Sequence, residues 1–186
     1  NVKTKANAYY VELHNKIAYS VQNANLSTNL YSLTSAGREL DIRYKLNNIS
    51  GYANVSYTQR LDETIKDSTI AEHPDEVTWA AAFAANTGLS YTKDKFYVSG
   101  WLHYQGPVKR RDSDISNNSS NFRPDELDPW VDLNLKIAYR LTQKSEIGLT
   151  GKNIFDSDQY LIKNNLQPFD YKRYGSRFML DFTVRF

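Results

Sequence analysis

From residue 177 onward the chain alternates in polarity. Phe178, Leu180, Phe182, Val184 and Phe186 occupy one row, and Arg177, Met179, Asp181, Thr183 and Arg185 the other. Period-two alternation of this purity predicts a β-strand with one face in an apolar medium and one in a polar medium. The pattern recurs upstream. Leu40, Ile42, Tyr44 and Leu46 alternate with Glu39, Asp41, Arg43 and Lys45. Asn47-Asn48 then supplies a tight turn, because Asn tolerates positive φ. A two-residue loop there pairs Leu46 with Ile49, Tyr44 with Gly51, Ile42 with Ala53 and Leu40 with Val55, so apolar meets apolar at each step and Tyr44 covers the gap at Gly51.

Two further hairpins follow the same rule. Trp79, Ala81, Phe83, Ala85, Thr87, Leu89 and Tyr91 form a row that turns at Lys93-Asp94 and returns as Phe96, Val98, Gly100, Leu102 and Tyr104. This turn sets Tyr91 opposite Phe96 and Leu89 opposite Val98. Val131, Leu133, Leu135, Ile137 and Tyr139 return as Ile147 and Leu149 through a three-residue loop, 142–144, with Arg140 beside Glu146. At the start, Tyr9, Val11 and Leu13 are read as an outward row against Tyr10, Glu12 and His14, and 17–31 is ambiguous. Eight strands result.

The connections alternate in length. Turns at 47–48, 93–94 and 142–144 are minimal, whereas 61–76, 106–129 and 156–174 are long, polar and rich in Asn, Asp, Ser, Pro and Gly. Sorting loops by parity is the habit of outer-membrane barrels, with short periplasmic turns and long extracellular loops. A closed barrel also removes the exposed edge that an amphipathic terminal strand otherwise presents. Aromatics gather at both strand ends, Tyr44, Tyr91, Phe96, Tyr139 and Phe186 at the short-turn rim and Tyr57, Trp79, Tyr104 and Trp130 at the other, as two interfacial girdles. The fold class expected is all-β, an antiparallel transmembrane β-barrel segment.

Composition changes this picture little. The 186 residues include no Cys, 14 Tyr, 8 Phe and 3 Trp, at a mean hydropathy of -0.63. No run approaches the ~20 apolar residues of a spanning helix, while a barrel places only alternate residues in lipid and so reads as hydrophilic. A net charge of +2 gives no argument for nucleic acid.

Asn153-Ile154-Phe155-Asp156-Ser157-Asp158-Gln159-Tyr160 resembles the Asn-Leu-Phe-Asp-x-x-Tyr stretch on the penultimate strand of TonB-dependent outer-membrane receptors, with Ile154 in place of Leu and three residues in place of two before Tyr160. Gly37-Arg38-Glu39-Leu40-Asp41, Asp128-Pro129-Trp130-Val131-Asp132-Leu133 and the terminal Tyr174-Gly175 to Phe186 are similar to other strands of that family. The resemblance implies that residues 1–186 are the C-terminal part of a receptor barrel, with the plug domain and TonB box absent, in a bacterial outer membrane. It implies uptake of an iron-siderophore, haem or similar nutrient. The partners implied are lipid and lipopolysaccharide, the remainder of the receptor, TonB through the missing N-terminal part, and the barrel assembly machinery. Two rival readings are a self-contained eight-stranded outer-membrane barrel, a protease or acyltransferase among them, and a soluble carbohydrate-binding sandwich.

Candidate chemistry is sparse. Lys109, Arg110 and Arg111 in a long loop fit an anionic iron chelate, lipopolysaccharide phosphates or an ordinary solvated cluster. Tyr160, Tyr171, Arg173 and Tyr174 in the last loop suit a flat ligand. Trp101 and His103 share the polar face near the long-loop rim, where haem ligation is imaginable. His14 and His73 stand apart, no histidines occupy metal-ligand spacing, and no nucleophile, paired-carboxylate or phosphate-loop motif is present. The expectation is binding and passage without catalysis, cofactor or metal centre. Phe186 is the candidate assembly signal. Phe186→Ala is expected to lower surface levels of the folded receptor while ligand affinity of the remaining molecules stays unchanged; normal levels by surface labelling would contradict it.

Overall fold

The computed structural model describes residues 1–19, 27–65, 76–110, 124–162 and 169–186. In chain order the strands are β1 (Val2–Tyr19), β2 (Ser27–Leu46), β3 (Ile49–Ile65), β4 (Phe83–Lys93), β5 (Phe96–Gln105), β6 (Val108–Lys109), β7 (Glu126–Leu127), β8 (Trp130–Arg140), β9 (Ser145–Lys152), β10 (Tyr160–Leu161), β11 (Tyr171–Lys172) and β12 (Arg177–Val184). Eight of them make one antiparallel sheet in the order β1-β2-β3-β4-β5-β8-β9-β12. The short strands pair as two mini-hairpins, β6 with β7 and β10 with β11, in the long connections.

The β2–β3 register is the one the alternation requires. Leu46 pairs with Ile49, Tyr44 with Gly51, Ile42 with Ala53 and Leu40 with Val55. Asn47 takes φ 49° in the turn. A Cβ at Gly51 would lie 2.7 Å from the Tyr44 ring, so the ring occupies the place of the missing side chain. The 142–144 loop also holds, with Arg140 opposite Glu146.

The β4–β5 turn is one residue later than expected. Asp94, at φ 52°, and Lys95 make it, so Lys93 pairs with Phe96, Tyr91 with Val98 and Leu89 with Gly100. Moving a turn by one residue slides the pairing by two, and an even slip leaves each side chain on its face. The row beginning at Trp79 is shorter than expected as well. Trp79 sits in a bend at φ 68°, and β4 starts at Phe83.

The first strand needs a larger correction. Tyr9, Val11 and Leu13 pair with Gly37, Ser35 and Leu33, on the face that carries Glu39 and Asp41. They belong to the polar face, and Val2, Ala6, Ala8 and Tyr10 belong to the apolar one. The cause is a close fit: the Tyr9 ring covers Gly37, and its hydroxyl reaches the Thr58 hydroxyl at 2.6 Å. The ambiguous 17–31 stretch contains the end of β1 and the start of β2.

Among the described residues no second sheet covers the apolar row. Leu89 is 52% exposed, Phe178 67% and Leu180 74%, which excludes the dry centre of a sandwich. Among the described residues β1 and β12 lie at opposite edges and do not pair, so the sheet does not close into an eight-stranded barrel. Strand lengths are unequal. β2 has 20 residues and β12 has 8, against about 9–11 for a tilted spanning strand. Along β2 the apolar row runs from Leu46 to Leu40 and stops at Arg38, whose guanidinium lies 5.4 Å from the Tyr57 ring. Beyond it Thr34 pairs with Glu12 and Asp62, so this face turns polar. The upper half of β1–β3 thus rises past the apolar band. A register shift between Thr34 and Ser35 leaves Leu61 as an extra residue, which brings Arg60 and Glu63 to one face, 3.0 Å apart and buried.

Gly37→Val is expected to expel the Tyr9 ring and cost about 1–3 kcal/mol by overpacking, whereas Tyr9→Phe loses only the hydroxyl bond, about 1 kcal/mol. Urea titration of heat-modifiable gel migration in the full-length protein checks both.

Candidate functional site

The site lies at the long-loop end of the polar face. Antiparallel pairing sets Lys5, Asp41, Asn54, Asn86, His103 and Asp132 in one line across six strands. Asn86 donates through Nδ2 to Asn54 Oδ1 at 2.9 Å, and its own Oδ1 faces His103 Nδ1 at 2.6 Å, so His103 carries its proton on Nδ1. The His103 ring packs on Trp130, with centroids 4.9 Å apart. Trp130 is buried and on the polar face, since its register partner is Gln105, so it does not join the expected girdle. Trp79 leaves the girdle too, because its bend turns it toward the mini-hairpins.

Next to this line is a cavity of about 600 Å³. Trp101, Tyr171 and Tyr174 supply its aromatic walls, while Lys152, Lys172, Arg173 and Arg177 bring positive charge and Asp132 a single carboxylate. Arg173 stacks on Trp130 at 5.4 Å and Arg177 on Tyr174 at 4.8 Å, which leaves their outer edges open to an anion. Lys172 is held by Asp158 at 2.5 Å, and that hydrogen bond raises its pKa from the ordinary lysine value. Asp132 Oδ1 is buried and accepts no hydrogen bond among the described residues.

The motif at 153–160 builds the floor. Asn153, at φ 47° and buried, donates from Nδ2 to Ser157 O at 3.0 Å and accepts from Ser157 N at 3.1 Å. Its own N–H goes to Asn134 Oδ1 at 3.2 Å, and Ser157 Oγ donates to Val131 O. Ile154 N donates to Leu133 O at 2.9 Å. Asp156, at φ 49°, accepts from Ser176 N at 2.7 Å, which ties the start of β12 to the same knot. The motif is therefore a clamp that sets the height of Arg173, Tyr174 and Arg177.

Four of the residues expected from the sequence, Trp101, Tyr171, Arg173 and Tyr174, converge on the cavity. His103 lies behind Trp130, and Tyr160 lines a neighbouring cleft. The basic loop is used differently. Lys109 pairs with Glu76, which raises its pKa, and the buried Arg110 donates to Asp170 and to Pro124 O. Arg110 thus ties two external segments together instead of facing solvent. Arg111 and His73 lie outside the described residues. Asn134, Gln159, Lys172 and Leu161 were missed. Face parity indicates Asn134, but nothing in the loop sequence singles out the others.

No family model matches the chain, and no curated protein matches its sequence. Solved structures do match. The ferric-catecholate import receptor Fiu of Escherichia coli K12 superposes at TM-score 0.76 and 14% identity, covering 100% of this chain and 25% of that one. The siderophore receptor PiuA of Acinetobacter baumannii gives 0.74 at 14%, covering 98% and 26%. FpvA of P. aeruginosa, bound to ferric pyoverdines, gives 0.73 at 16%, covering 98% and 24%. The fold is that of an outer-membrane β-barrel wall; the three named structures are siderophore receptors, and the copper transporter OprC matches as well, at TM-score 0.69 and 19% identity, covering 100% of this chain and 28% of that one. The chain spans about a quarter of their length.

Asn153→Ala removes both arms of the clamp, at about 1–3 kcal/mol for the polar groups left unpaired. Limited proteolysis is expected to cut the 156–176 segment faster while the heat-modifiable migration of the whole barrel persists.

Proposed function

We propose that this chain forms the C-terminal part of the barrel wall of a TonB-dependent receptor in a bacterial outer membrane, importing an anionic iron chelate, haem or a similar scarce nutrient. The observation that carries the reading is the sheet itself. One face carries an apolar band that nothing among the described residues covers, which suits lipid. The other is a line of amides and charges suited to water and to the remainder of the receptor, and it ends in a basic, aromatic cavity on the long-loop side. The fold shared with Fiu, PiuA and FpvA supports it, as does the 153–160 motif.

The mechanism is binding and gated passage. Arg173 and Arg177 attract the anion, their stacking on Trp130 and Tyr174 keeps the guanidinium planes oriented, and Trp101 offers a flat apolar surface. Energy coupling through TonB, contact with lipopolysaccharide and handling by the barrel assembly machinery fall to the whole receptor in this reading. Bond chemistry has no part in it.

Equilibrium binding of the trianionic iron(III) complex of N-methyl-2,3-dihydroxybenzamide to the full-length protein in nanodiscs tests the reading. Arg173→Gln with Arg177→Gln is expected to weaken it by at least about tenfold, from the loss of about 1.5–3 kcal/mol per charged hydrogen bond, and salt is expected to weaken the wild type more than the variant. Equal affinity would remove the cavity from the ligand path.

A further inference from the structure

We propose that the ligand of the basic cavity is amphiphilic, an anionic chelating head joined to a short apolar tail, and that the tail lies in a cleft between the two external mini-hairpins. This rests on the reading of the basic cavity as the ligand site. The cleft, about 390 Å³, is walled by Ala80 and Ala81 on one side, Val108 and Leu127 of the β6–β7 hairpin on another, and Leu161 and Ile162 on the third. Among the described residues its polar side-chain groups are those of Gln105, the Tyr160 hydroxyl and the Trp79 indole N–H.

Leu161 lines both spaces. It follows directly on Tyr160 in β10, and its register partner in the β10–β11 hairpin is Tyr171, which lines the basic cavity. A ligand whose charged part rests among Arg173, Arg177 and Lys152 therefore has an apolar exit over one side chain. That continuity specifies an occupant with both characters joined, since the two spaces share a wall but not a chemistry.

Trp79 supplies the second observation. It borders the cleft at φ 68°, a conformation that a bulky side chain rarely adopts, and the residue is 47% exposed. The bend is held by Trp79 N donating to Lys109 O at 2.9 Å, which fixes the indole to the β6–β7 hairpin. Strain of this kind, kept where the side chain stays half exposed, is found at ligand-contacting positions. An apolar tail in the cleft would give the indole the cover it lacks.

The test compares iron(III) tris-complexes of N-methyl- and N-hexyl-2,3-dihydroxybenzamide, identical trianions that differ in alkyl length, on the full-length protein in nanodiscs, with binding to empty nanodiscs subtracted. The hexyl complex is expected to bind at least about tenfold more tightly, each buried methylene contributing up to about fourfold. Ala81→Leu, which fills the cleft without adding charge, is expected to bring that ratio close to one and leave the methyl complex at its wild-type affinity. Equal affinities for the two complexes, or a ratio that survives Ala81→Leu, would overturn the amphiphile and leave the basic cavity standing. Failure of both complexes to bind would instead overturn the underlying reading.

Discussion

The antiparallel hydrogen-bond ladder is the constraint on which the rest depends. Side chains alternate along each strand, so a pairing error of one residue sends a whole strand's apolar row to the wrong solvent. Every apolar residue from Leu46 to Leu40 meets an apolar or glycine partner in β3, and the same holds from β5 into β8. Neither face is a protein core. The sheet is organised by two different surroundings, and the side chains record which is which. The displaced β4–β5 turn illustrates the tolerance of the scheme, because it shifts partners by two and preserves the faces.

Most of the wall was legible for that reason. Two hairpins announced their registers through matched rows, the third announced its faces but not its partners, and the loop asymmetry indicated the polarity of the sheet. The first strand was not legible, because Tyr9 and Tyr10 are adjacent and either parity offers an aromatic row. What decides is Gly37, 28 positions along the chain, whose missing side chain accommodates the Tyr9 ring. Such a fit is invisible until β1 is laid beside β2. Trp130 was misplaced for a different reason. Nearness to the rim suggests the girdle, but the parity of Val131 and Leu133 places it on the polar face.

The site was legible only in kind. An aromatic and basic last loop pointed to Tyr171, Arg173 and Tyr174, and strand parity pointed to Trp101. Its depth and its neighbours came from loops, where no period applies. The Lys109–Arg110 pair shows the difference. In the sequence it is a free positive cluster, but in the structure Arg110 is buried against Asp170 and Lys109 is bound to Glu76. Charge is consumed in holding the β6–β7 hairpin to its surroundings, and among the described residues the cations that meet the cavity are Lys152, Lys172, Arg173 and Arg177.

The 153–160 stretch connects the two halves of this account. A motif that reads as a family label turns out to carry a mechanical task. Positive φ at Asn153 and Asp156 lets the chain leave β9 and fold back, and the Asn153 side chain spends its donor and acceptor on the Ser157 backbone. Asp156 then holds Ser176, at the root of β12. Asn and Asp suit these positions because they tolerate left-handed backbone and bond to nearby main chain. The consequence is that Arg173 and Tyr174 stand on a loop anchored at both ends to strands of the wall. A long loop so tied holds a cation close to an aromatic ring, whereas a free loop of the same composition would lose that geometry to its own entropy.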